Sequence, residues 1–135
     1  MTDTPMSVDE RFWDALDKLS GDAALVIDRP RGSPHPRYPQ IICPLDYGYL
    51  DGTTAADGGG IDVWRGSEPG PRVAAIIVTI DPVKRDSEIK VLLGCNGADI
   101  ETALAFHNRT GSMKGMLVRR AMVGDEGLEP PTSSV

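Results

Sequence analysis

At 135 residues the chain has room for one hydrophobic core rather than two. A composition 40% hydrophobic and 25% charged is that of a folded globular domain and excludes a wholly disordered chain. The net charge of −6 lacks the basic excess of a duplex-DNA binder, so no nucleic-acid partner is expected, and acidic clusters suit divalent cations better.

With 15 Gly, 11 Pro and only 5% aromatics, the fold is expected to be rich in loops and short strands. No apolar run approaches the roughly 18 residues that span a bilayer, and no membrane partner is expected. The first ten residues, MTDTPMSVDE, have neither a basic nor an apolar signal region, so the cytoplasm is the expected location. Cys43 and Cys95 stand in no metal-binding or redox spacing and read as reduced, buried thiols.

Ser7 and Glu10 fit a capping box, and Val8, Phe12, Leu16 and Leu19 recur at helical spacing, which predicts a helix over 8–19. A strand follows over 23–27. Five prolines in 28–44 exclude helix there and leave extended or looped backbone carrying Arg29, Arg31, His35, Arg37 and Tyr38. Residues 46–60 read as turn chemistry, and 61–64 as a short strand. The run 73–80, VAAIIVTI, is β-branched and nearly continuous, which predicts a strand buried on both faces. A polar connector, 81–86, leads to a strand over 89–93. A helix over 99–108 places Ile100, Ala103, Leu104 and His107 on one stripe, and 114–120 reads as a final strand. No internal repeat is present. The domain is expected to span 1–121, with a disordered tail over 122–135. Within it, Leu128-Glu129-Pro130 is a word that CTC-GAA-CCN encodes, as in a tRNA T-arm read on the opposite strand. The tail is therefore expected to be read-through, and the gene's 3′ nucleotide sequence decides this.

The chemistry centres on four aspartates with equal spacing in two loops, Asp57 with Asp62 and Asp81 with Asp86. Converging carboxylates repel one another, and Mg²⁺, with its octahedral oxygen shell, is the natural remedy. The same residues also suit plain turns. Arg29, Arg31 and Arg37 in rigid backbone, and Lys84, Arg85 and Lys90 around the second pair, supply the cations of a metal–phosphate site or of a solvated mixed surface. Gly58-Gly59-Gly60 reads as an anion nest or a flexible turn. His107, on the apolar stripe, reads as a satisfied core or edge histidine, and Trp13 and Trp64 read as packing residues.

Tyr47-Gly48-Tyr49, then Asp57-Gly58-Gly59-Gly60-Ile61-Asp62-Val63, then Asp81 followed by Asp86, resembles the soluble family I inorganic pyrophosphatases. Val26-Ile27-Asp28-Arg29-Pro30 and Arg37-Tyr38 look like the family's first strand and the basic–Tyr pair after it, so the resemblance covers roughly 23–118. It implies an α+β, mainly β domain: a reduced OB-like five-stranded β-barrel with flanking helices. It implies Mg²⁺-dependent hydrolysis of pyrophosphate, or a related phosphoanhydride, by a metal-activated water. Asp57, Asp62, Asp81 and Asp86 would be the metal ligands. Tyr47, Arg37 and Lys90 would be catalytic, and Arg37, Tyr47, Lys84, Arg85, Lys90 and Arg109 would hold substrate. Gly59 stands where the family has its middle aspartate, Pro39 where it has a glutamate and Glu88 where it has a lysine. The hairpin before Tyr47 is reduced to residues 39–46.

The leading expectation is a pyrophosphatase-like hydrolase. The alternatives are a non-catalytic metal–phosphate binding module on the same fold, and an assembly protein whose acidic loops are only a solvated face. Self-association that covers exposed strand edges is a further expectation.

Overall fold

A computed structural model describes residues 7–121. The tail, with its expected disorder and read-through origin, lies outside them. The elements in order are α1 (Val8–Asp22), β1 (Leu25–Arg29), β2 (Asp46–Leu50), β3 (Ile61–Arg65), β4 (Val73–Asp81), β5 (Asp86–Leu93), α2 (Gly97–His107) and β6 (Lys114–Arg119). Six strands form one sheet in the order β1-β2-β3-β5-β4-β6. All neighbours are antiparallel except β3 and β5, which run parallel.

The domain is mainly β with two helices, as expected, but the sheet has six strands and does not close into a barrel. Closure would require the outermost strands to pair, and among the described residues β1 bonds only to β2 while β6 bonds only to β4. Between β1 and β2 the prolines lack N–H donors, and the only pairing there is a single bridge between Pro34 and Ile42. The extra strand is β2. Its Asp and Gly suggested turn chemistry, yet Tyr47 and Tyr49 alternate on one face as a strand requires. Gly48 is needed because β1 passes so close: a Cβ there would overlap the Val26 carbonyl oxygen.

Both helices are capped as their sequences ask. Ser7 Oγ accepts from the Glu10 N–H at 3.1 Å, and Glu10 Oε1 accepts from the Ser7 N–H at 2.8 Å. Asn96 and Asp99 make the same reciprocal pair before α2. Asp99 Oδ2 also accepts from Ser67 N and Ser67 Oγ, both at 2.9 Å, which ties the start of α2 to the segment leaving β3. Helix α1 runs one turn beyond the predicted end, to Asp22, where Lys18 pairs with it at 3.2 Å.

Period two sorts the strand residues onto the two faces. One face packs Trp64, Ala75, Ile77 and Leu92 against Ile100 and Ala103 of α2. The other packs Leu50, Val63, Ile76, Val91 and Leu93 against Trp13 and Leu16 of α1. Strand β4 is buried on both faces as predicted, apart from Ile80 and the half-buried Ala74 and Val78. Arg120 fastens α1 to the sheet, donating to both Asp17 oxygens at 2.8 and 3.0 Å and to Val73 O at 3.1 Å. Cys43 and Cys95 are free and buried, in keeping with their expected role as reduced thiols. Among the described residues no helix is long and apolar enough to cross a membrane.

Gly48→Ala should break the contact between β1 and β2, costing about 2 kcal/mol or more of stability. Denaturant unfolding measures the loss, and a variant as stable as the parent would contradict the close approach.

Candidate functional site

The face under α2 carries polar side chains at the end of the sheet that α2 leaves uncovered. Parallel pairing sets Asp62 opposite Lys90, and antiparallel pairing sets Tyr47 opposite Trp64. Glu88 lies two residues before Lys90 and so shares its face. The Lys90 ammonium donates to Asp62 Oδ2 at 2.7 Å, Glu88 Oε1 at 2.6 Å and the Tyr47 hydroxyl at 3.0 Å. Its side chain is only 7% exposed. Burial works against a charged lysine, but Tyr47 and the two carboxylates outweigh it and hold the pKa above the ordinary value. Burial likewise pushes the Tyr47 hydroxyl upward against the pull of Lys90, so it is a neutral phenol at pH 7.

Beside this cluster lies a cavity of about 530 Å³. Tyr47, Trp64, Phe106 and His107 form an aromatic wall, and Arg29, Lys84, Lys90 and Arg109 bring positive charge to it. Trp64 Nε1 donates to His107 Nε2 at 2.8 Å, which makes His107 an acceptor with its proton on Nδ1. Burial, with Lys90 and Arg109 nearby, lowers the His107 pKa to about 4. This is the satisfied core histidine that its place on the helical stripe predicts. The Arg109 guanidinium lies 3.9 Å above the Phe106 ring centroid and donates to Phe106 O at 2.6 Å. Opposite, His35 Nδ1 accepts from Arg37 N at 3.0 Å and Tyr38 N at 3.1 Å. Partial desolvation, then the charges of Arg29, Arg109, Arg37 and Lys84, hold His35 below its ordinary pKa. These cations therefore share one field. Among the described residues Arg29, Lys84 and Arg109 make no ion pair.

The four aspartates are spread along this end of the sheet. Asp62 is held by Lys90. Asp81 is buried at the cavity, and its Oδ1 accepts from Val83 N at 3.0 Å and Lys84 N at 3.2 Å, so it shapes the turn that presents Lys84. Asp86 sits opposite Asp81 in the ladder but is exposed. Asp57 is exposed, and its Oδ1 accepts from Gly59 N at 2.9 Å. That bond, the largest influence on it, lowers its pKa. Tyr47, Lys84, Lys90 and Arg109 line the cavity, whereas Arg37 and Arg85 do not. Arg85 occupies the left-handed position of the β4–β5 turn, at φ 62°.

Mg²⁺ needs several oxygen donors free around one point. The point where Asp62 and Glu88 converge is taken by the Lys90 ammonium. Among the described residues no three His, Cys, Asp or Glu side chains are grouped to hold a metal ion. As arranged, the donor set does not fit Mg²⁺.

Sequence reasoning named Arg29 only among the cations of a metal–phosphate site or mixed surface, and passed over Glu88, Trp64, Phe106 and His107 as site residues. For Glu88 the signal was present, because period two puts it on the face of Lys90. For Phe106 and His107 it was not, since the packing of α2 decides which of its residues reach the cavity.

No protein-family model and no curated protein matches this sequence. Among solved structures the chain is similar to an inorganic pyrophosphatase from Coxiella burnetii, with TM-score 0.51 and 14% identity over 71% of this chain and 84% of that one. An inorganic pyrophosphatase from Neisseria gonorrhoeae matches with TM-score 0.46 and 17% identity, over 71% and 81% of the two chains. An inorganic phosphatase from Anaplasma phagocytophilum matches with TM-score 0.44 and 14% identity, over 70% and 81%. The first of these likenesses shows a pyrophosphatase-like fold.

Since His107 has a pKa of about 4 when folded against 6.5 ordinarily, the unfolded chain binds more protons between those values. The stability it contributes is complete above about pH 6.5 and falls away as pH drops towards 4, a loss on the order of 3 kcal/mol. His107→Gln keeps an acceptor for Trp64 without titrating, so it should flatten this part of the curve. Denaturant unfolding at pH 7 and pH 5 compares the two, and equal slopes would refute the assignment.

Proposed function

We propose that the cavity receives a phosphoanhydride anion of the pyrophosphate class, and that binding this anion, rather than fast hydrolysis, is what its geometry serves. The observation that supports this is the charge arrangement. Arg29, Lys84 and Arg109 reach the cavity from three separate segments and form no ion pair among the described residues, while Asp62 and Glu88 are both paired with Lys90, which offsets one of their two charges. Arginine forks and a lysine suit clustered phosphate oxygens, and the aromatic wall excludes water and strengthens the attraction.

The fold likeness favours a second reading, a Mg²⁺-dependent inorganic diphosphatase. In it Asp57, Asp62, Asp81 and Asp86 would hold metal, while Arg37, Tyr47, Lys84, Arg85, Lys90 and Arg109 would hold the phosphates. That reading requires Asp62 to leave Lys90, and it has no carboxylate at Gly59. A lost general base costs about 10²–10⁴-fold in rate.

Calorimetric titration with pyrophosphate, with and without Mg²⁺, tests the first reading. Saturable binding is expected, weakened about tenfold by Arg29→Ala and by Lys84→Ala. Phosphate release measured alongside tests the second. Mg²⁺-dependent release that disappears in Asp62→Ala would establish the hydrolase, and neither binding nor release would sink both readings.

A further inference from the structure

We propose that Lys90 is the built-in cation of this site: its ammonium stands where Asp62 and Glu88 converge, so the chain needs no divalent metal there, and removing the lysine uncovers a metal site. The inference rests on the phosphoanhydride reading for its ligand, but the metal part stands on geometry alone.

Two carboxylates on neighbouring strands of one face, half-shielded from water, repel each other unless a cation lies between them. Lys90 lies between them and bonds to both. An ammonium has three N–H donors, and Asp62, Glu88 and Tyr47 accept all three at 2.6–3.0 Å. The carboxylate side chains are 26% and 18% exposed and the lysine 7%. An incoming Mg²⁺ would have to expel an ammonium that could not reach water without leaving the sheet face, and a buried charge without its partners is costly. The metal position is thus blocked by a side chain fixed in the ladder. Because the three donors are spent, Lys90 has none left for a ligand phosphate, whose charge falls to Arg29, Lys84 and Arg109. Without Lys90, Asp62 and Glu88 face each other uncompensated.

The test is Mn²⁺ titration of the metal-free protein, followed by calorimetry and by thermal shift, for the parent and for Lys90→Met. The parent should bind no Mn²⁺ at these carboxylates. Lys90→Met should gain a saturable site at least about tenfold tighter than anything in the parent, and its lowered melting temperature should rise with Mn²⁺. Should the variant fail to fold, the parent decides alone. Saturable Mn²⁺ binding by the parent that Asp62→Asn abolishes overturns the proposal, and its absence upholds it. Equal Mn²⁺ affinity in parent and variant also overturns it. Pyrophosphate binding that appears only with Mg²⁺ overturns the metal-free inference while the phosphoanhydride reading stands. No pyrophosphate binding under either condition overturns that reading, and the Mn²⁺ result still decides the role of Lys90.

Discussion

The parallel register between β3 and β5 is the constraint on which the rest depends. Strand β4 runs between them in sequence but lies on the far side of β5, so β3 and β5 come together pointing the same way. One consequence is chemical: Asp62 stands opposite Lys90, and Glu88 reaches the same ammonium from two residues upstream. Another is structural: Trp64 stands opposite Leu92 in the core beneath α2, where its indole N–H finds His107. A slip of one residue would turn every one of these side chains to the other face, placing Lys90 in the apolar layer under α1. The core and the charged cluster thus enforce the same register, and neither can shift alone.

That arrangement also explains how a lysine can be buried beside an aromatic core. Its charge faces two carboxylates and a phenol, so no polar hydrogen is orphaned. Trp64 obeys the same logic. It is 1% exposed, and its one donor is satisfied by a histidine that burial keeps neutral. Among the described residues the only buried side-chain polar atom without a partner is Ser20 Oγ, on α1 and away from the cavity.

Much of this was legible in the residues. The capping box of α1, the β-branched run of β4 and the stripe that includes His107 are local patterns, and local patterns survived folding with boundary shifts of a few residues. Strand β2 was misread because Asp46 and Gly48 look like turn residues; what makes Gly48 a strand residue is the Val26 carbonyl, which only the fold brings near. The site was harder. Equal spacing within two aspartate pairs suggested one cluster, but spacing along the chain says nothing of which partner each carboxylate meets. Asp62 met Lys90, Asp81 met its own turn, and Asp57 met Gly59. Convergence is a property of strand order, and a parallel neighbour two elements away is not written in any local window.

Net charge shows the same separation of levels. The chain as a whole is acidic, at −6. The cavity carries the opposite sign, because its acidic neighbours are consumed in internal bonds while Arg29, Lys84 and Arg109 are left facing it. An anion approaching such a molecule meets a repulsive surface overall and an attractive field only near the cavity mouth, within about a Debye length of 8 Å at physiological salt. On the proposed reading selectivity then falls to the cavity itself, where compact, multiply charged anions would gain most from three cations.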